Sequence, residues 1–92
     1  MPKKRMNRVN KILEMPREII DETPKITIIG FDEMLIENYK GILEYEEFYI
    51  KINTGIGNIN INGFKLELEQ ATEDDISVKG KIESIDIERT FE

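Results

Sequence analysis

The feature that most narrows what this chain can fold into is a two-residue alternation of apolar side chains running from residue 26 to residue 87. Ile26 and Ile28, Met34 and Ile36, Phe48 with Ile50 and Ile52, Ile59 and Ile61, Leu66 and Leu68, Ile76 and Val78, and Ile85 and Ile87 each recur at every second position. Successive side chains of a strand point to opposite faces, so this period predicts strands with one buried face. Lys51, Asn60, Glu67, Ser77 and Asp86 stand between the apolar members and supply a wet face.

Turn residues interrupt the alternation at short intervals. Gly30, Asn38 with Gly41, Gly55 with Gly57, Asn62 with Gly63, Glu73 to Asp75, and Gly80 each fall between apolar runs. That spacing leaves no room for crossover helices and predicts about eight short antiparallel strands. Asn62-Gly63 predicts a two-residue type I′ hairpin, which needs positive φ at both central positions. Three segments ending at Gly30, Gly63 and Gly80 share an apolar-x-apolar-x-Gly form. Their unequal spacing argues for similar hairpins rather than a repeat.

A chain of 92 residues supports one domain, near the low end of what folds without staples. The fold expected is mainly β: a small antiparallel sandwich or roll preceded by a short N-terminal helical segment. Residues 1–24 form a basic arm and 25–92 the β domain. In the arm, Met6, Val9, Ile12 and Leu13 recur at helical spacing, with Arg8, Lys11 and Glu14 on the other face. Pro16 interrupts this helix but suits the first turn of another, and Pro24 stops that segment.

Charge divides the chain at the same place. Residues 1–13 carry Lys3, Lys4, Arg5, Arg8 and Lys11 and no acid, whereas the remainder holds 8 basic and 19 acidic residues, a balance of −11. The acidic body repels phosphate backbones, so nucleic acid is not an expected partner. Near an anionic membrane each Lys or Arg of the arm would contribute on the order of 1 kcal/mol. Its thin apolar stripe ranks docking on the domain or on a protein partner ahead of lipid.

The residue inventory removes most catalytic chemistry. Without cysteine there are no disulfides, thiolate nucleophiles or zinc-thiolate sites, which fits a reducing cytosol. Without histidine the commonest general base and metal ligand are gone. Glu73, Asp74 and Asp75 form the densest acidic cluster, but they lack the ligand alternation, glycine and distant glutamate of a calcium loop, so a solvated turn begun by Thr72 is expected. Glu44, Glu46 and Glu47 read as the polar face of a hairpin. Gly55-Ile56-Gly57-Asn58 lacks the lysine and the following helix of a phosphate loop. No stretch approaches the roughly 18 apolar residues of a membrane span, and the basic start lacks the apolar core of a secretory signal. A cytoplasmic protein is expected, with no catalytic, cofactor-binding or metal-binding residues.

Longer words in the sequence resemble a known family. Met15-Pro16-Arg17-Glu18-Ile19-Ile20, Pro24-Lys25-Ile26-Thr27-Ile28-Ile29-Gly30, Ile36-Glu37-Asn38-Tyr39-Lys40-Gly41-Ile42 and Ile76-Ser77-Val78-Lys79-Gly80-Lys81-Ile82-Glu83-Ser84-Ile85 are similar in order and spacing to the YabP/YqfC sporulation proteins. The resemblance is closest to the YqfC branch and covers nearly the whole chain. It implies a role in endospore formation, in the mother cell of a Gram-positive bacterium, beside a larger membrane-bound sporulation protein of the YqfD type. It attaches no enzymatic activity and carries over no catalytic residue.

Residues and resemblance together predict a non-enzymatic scaffold or adaptor that binds a membrane-associated sporulation partner, for instance through an exposed edge strand. Self-association through the same edges is a compatible variant. A small-molecule-binding or enzymatic β domain ranks second. Third is a peripheral lipid-surface protein held by Lys3, Lys4, Arg5, Arg8 and Lys11, the residues expected to make partner or membrane contact.

Overall fold

A computed structural model describes residues 22–90. They form six strands: β1 (Lys25–Ile29), β2 (Glu33–Glu37), β3 (Tyr39–Glu46), β4 (Tyr49–Thr54), β5 (Gly57–Ala71) and β6 (Asp75–Arg89). All pair antiparallel in one sheet of order β1-β2-β6-β5-β4-β3. No helix occurs among the described residues, and the helix expected over residues 6–15 lies outside them.

The mainly β, antiparallel expectation holds, but the strand count falls from about eight to six because two expected turns are strand interior. Asn62 and Gly63 are not a hairpin: Asn62 pairs with Tyr49 on one side and Ser84 on the other, in the middle of β5. Gly80 likewise sits inside β6. The runs at Ile59 and Leu66 thus belong to one strand of 15 residues, and those at Ile76 and Ile85 to another. At these points the partner backbone comes too close for a side chain. A Cβ on Gly63 would collide with the Lys81 carbonyl oxygen, and one on Gly80 would lie 2.5 Å from that of Lys65. Glycine here serves close approach rather than chain reversal.

The long β5–β6 hairpin bends where these glycines meet. Register shifts fall between Asn62 and Gly63 and between Phe64 and Glu67, while Lys65 takes φ 52° and Gly80 φ 138°. Extra residues in one strand of a pair bend it and increase its twist. Before the bend β5 pairs with β4; beyond it, β5 pairs with the start of β6, which also pairs with β2. The ribbon therefore divides the sheet into two halves that close on each other as a roll.

Between the halves lies the core. Met34, Ile36, Ile76 and Val78 come from the β2–β6 half, Ile50, Ile52, Ile59 and Ile61 from the β4–β5 half, and Leu66 from the bend; together they form one cluster in which no residue exceeds 3% exposure. Burying each such side chain is worth about 1.5–3 kcal/mol. At the end opposite the bend, Asn38 N and Tyr39 N donate to the Asp74 carbonyl at 2.7 and 3.1 Å, and the Tyr39 hydroxyl donates to that of Thr72 at 2.7 Å. These bonds tie the β2–β3 crossing to the β5–β6 turn. Along one side, Leu68 N donates to the Tyr45 hydroxyl and so joins β5 to β3. Along the other side lie β1, the terminal strand of the order, and the second half of β6, which pairs with β5 alone in the ladder.

Candidate interaction surface

Three phenylalanines gather at the bend. Ile82 N donates to the Phe31 carbonyl at 2.9 Å, Ile82 pairs with Gly63, and Gly63 N donates to the Phe48 carbonyl at 3.2 Å. The backbones of Phe31, Ile82, Gly63 and Phe48 are thus consecutive rungs across the sheet, and Phe64 follows Gly63. Phe31 is 82% exposed, Phe48 60% and Phe64 55%. Phe31 and Phe48 stand at the two ends of this row with Ile82 and Gly63 between them, so the three phenylalanines share one end of the sheet. Large exposed aromatics concentrated at one end mark a candidate contact surface. β1 runs toward this end, exposing Ile28 and Ile29.

The alternation places Phe48 on the buried face with Ile50 and Ile52, but Phe48 precedes β4 and is exposed, and the pattern singles out neither Phe31 nor Phe64. The signal available was position: Phe31 follows Gly30, Phe48 follows Glu47 in the β3–β4 turn, and Phe64 follows Gly63.

The two terminal strands differ. β3 is bulged at two places and mixes Lys40, Glu44 and Glu46 with Ile42 and Leu43, features that blunt an edge against pairing. β1 keeps regular register with β2 and carries one charged residue, Lys25, at its start. It is the more receptive edge.

The outer face of β4, β5 and β6 is polar and internally bonded. Asn58 Nδ2 donates to Glu88 at 3.1 Å, Asn53 Nδ2 donates to Asn58 Oδ1 at 2.9 Å, and Asn62 Nδ2 donates to Ser84 Oγ at 3.2 Å. Lys51 Nζ stands 3.5 Å from Glu88. The Asn58 amide, followed by the charge of Lys51, holds the Glu88 carboxyl below the usual glutamate range. On the other half, Lys79 Nζ donates to Glu69 at 3.2 Å and lies 4.0 Å from Glu33; the bond and charge of Glu69, then the charge of Glu33, hold it above the usual lysine value. These groups are spent on one another across the sheet.

Glu73 and Asp74 occupy the β5–β6 turn as expected, whereas Asp75 opens β6, paired with Glu37. Thr72 Oγ1 accepts from Asp74 N and Asp75 N at 3.3 and 2.9 Å, and Thr72 N donates to the Asp75 carbonyl at 2.8 Å. No group of three or more acids positioned to hold a metal ion occurs among the described residues. Described residues line at least two grooves. One, of about 480 Å³, lies between the β3–β4 turn and the bend and is lined mainly by exposed Glu46, Glu47, Lys65 and Glu67. The other, of about 180 Å³, lies between the start of β1 and the β4–β5 turn and is largely apolar. Lys3, Lys4, Arg5, Arg8 and Lys11 lie outside the described residues, so the structure brings none of them to a site. No helix of the described residues is long and apolar enough to cross a membrane.

Comparison with known proteins adds the relationship. The sequence profile of the YabP family matches residues 21–90, the whole extent of the bent sheet. The chain is also 26% identical over 77 residues to an uncharacterized protein, YqfC, of Bacillus subtilis strain 168, covering 84% of this chain and 83% of that one. No solved structure matches. With the family profile spanning every strand of the roll, the chain belongs to the YabP family.

Proposed function

We propose that this protein is a non-enzymatic adaptor of endospore formation that holds a membrane-associated protein partner on the aromatic end of its bent sheet. The observation that carries the reading is that Phe31, Phe48 and Phe64 lie at one end of the sheet, all more than half exposed. Aromatic side chains deliver large contact area at low entropy cost and dominate interface energetics. The partner that fits is an apolar segment able to cover the phenylalanines and, beside them, to add a strand along β1 through main-chain hydrogen bonds. The acidic flanks Asp32, Glu33, Glu46 and Glu47 favour basic residues at its ends.

The sporulation role rests on membership of the YabP family together with the resemblance to YqfC-like proteins. The absence of histidine and cysteine and the filled interior support a contact role over a catalytic one. The test is affinity capture from sporulating cells with the intact protein and with Phe31→Ser, Phe48→Ser and Phe64→Ser combined. Exposed positions tolerate substitution, so the variant is expected to fold. The intact protein should recover a membrane-associated protein that the variant loses at least tenfold. Equal recovery by both, or no such partner with either, contradicts the reading.

A further inference from the structure

Asn62-Gly63 is the one asparagine followed by glycine in the sequence, and as strand interior it turns nothing. In such a pair the glycine nitrogen can attack the side-chain carbonyl carbon of the asparagine, because no Cβ on the second residue hinders the approach and its backbone swings freely into line. A bond from Gly63 N to Asn62 Cγ closes a five-membered succinimide, and the amide proton leaves with the side-chain nitrogen as ammonia. Water then opens the ring at either carbonyl, giving aspartate or isoaspartate. A ring closure within one chain is governed by orientation, so the hold of the fold on the two groups decides its rate.

We infer that Asn62 is a latent deamidation site, held closed by the sheet and released when the ribbon opens beside its bend. Both reacting groups are committed elsewhere in the folded chain. Gly63 N donates to the Phe48 carbonyl at 3.2 Å, which fixes the nucleophile in the ladder with β4. Asn62 Nδ2 donates to Ser84 Oγ at 3.2 Å and to Asp86 Oδ2 at 3.4 Å, which draws the amide across the sheet toward β6. Asn62 is also paired on both sides, with Tyr49 of β4 and Ser84 of β6. The glycine that makes the pair labile is required where it stands, since a Cβ there would collide with the Lys81 carbonyl oxygen. The close approach that bends the ribbon therefore builds the labile pair into the sheet. Either product opposes reclosure. Aspartate sets a carboxylate against Asp86 in place of a donor, and like charges on facing strands destabilise the pairing. Isoaspartate adds a backbone carbon between Asn62 and Gly63 and so shifts every later residue of β5 against its partners. Opening at this point thus becomes a one-way step, and the inference does not rest on the adaptor reading.

The test follows the peptide containing Asn62 by mass spectrometry and isoaspartate assay. The full chain is held at mildly alkaline pH below its melting temperature, beside the same chain unfolded in guanidinium chloride. The unfolded chain should convert Asn62 to a mixture of aspartate and isoaspartate. The folded chain should convert it at least about a hundredfold more slowly, because the open form of a strand paired on both sides is a small fraction of the population. Ile52→Val, which loosens the layer beneath without altering the pair, should raise the folded-state rate and leave the unfolded rate unchanged. Asn62→Asp, the milder of the two products, should melt at a lower temperature than the unsubstituted chain. Equal rates in the folded and unfolded chains, or no conversion at Asn62 in either, overturn the inference. An Asn62→Asp chain with unchanged melting overturns the one-way step for the aspartate product.

Discussion

Glu88 shows at the scale of single residues how this sheet uses its charges. Its carboxylate accepts from Asn58 and faces Lys51, so its pKa falls below the ordinary value on folding. A group depressed in the folded state adds stability above its unfolded pKa and loses that contribution as pH falls through the folded one. Glu88→Gln should therefore lower the denaturant midpoint slightly at neutral pH, with the gap to the unsubstituted protein closing as pH drops below the glutamate range. A gap that stays constant across that range would show that the charge plays no part. Lys79 has the opposite sign: raised by Glu69 and Glu33, it contributes below its unfolded pKa and loses that contribution as pH rises through the folded value. Such positions were legible in advance only as the wet members of an alternation. Which acid meets which amide depends on register, and residue spacing along one strand does not encode it.

Among the elements, the β5–β6 ribbon decides the architecture. Its bend depends on Gly80, held at φ 138° with Leu66 Cα 2.8 Å from where a Cβ would stand. Backbone strain of this kind costs about 1–3 kcal/mol, and for a domain this small each kcal/mol moves Tm by roughly 4–8 °C. Gly80→Ala should thus lower Tm by at least about 4 °C. Gly41→Ala, where nothing lies within 4 Å of the added methyl, should leave it nearly unchanged. Equal melting of the two variants would mean that the bend does not need its glycine. The same pair explains what the sequence could and could not reveal. Glycines between apolar runs announced a break in regular pairing at Gly30, Gly63 and Gly80, and a break exists at each. Only Gly30 marks a reversal of the chain. A glycine needed for a tight turn and one needed for close approach of another strand look alike until the partner backbone is known.

For the whole molecule, the alternation located most of the buried layer: Ile50, Ile52, Ile59, Ile61, Ile76 and Val78 all lie in the core. Ile28, Phe48 and Ile87, members of the same pattern, are 51%, 60% and 61% exposed because they fall at strand ends and in the turn beyond the packed layer. The aromatic end was not legible, because Phe31, Phe48 and Phe64 lie far apart in sequence and reach the same end of the sheet only through the pairing at the bend. A filled interior and an apolar end are one arrangement seen from two sides, since side chains that cannot enter the packed layer at the bend must face outward. The account rests on the two halves of the sheet closing on each other without water between them. A methyl nuclear Overhauser spectrum tests this most directly. It should connect the methyl groups of Met34, Ile36, Ile76 and Val78 with those of Ile50, Ile52, Ile59 and Ile61, with no cross-peaks from these methyls to water. Water cross-peaks at those isoleucines, together with missing contacts between the halves, would contradict the account.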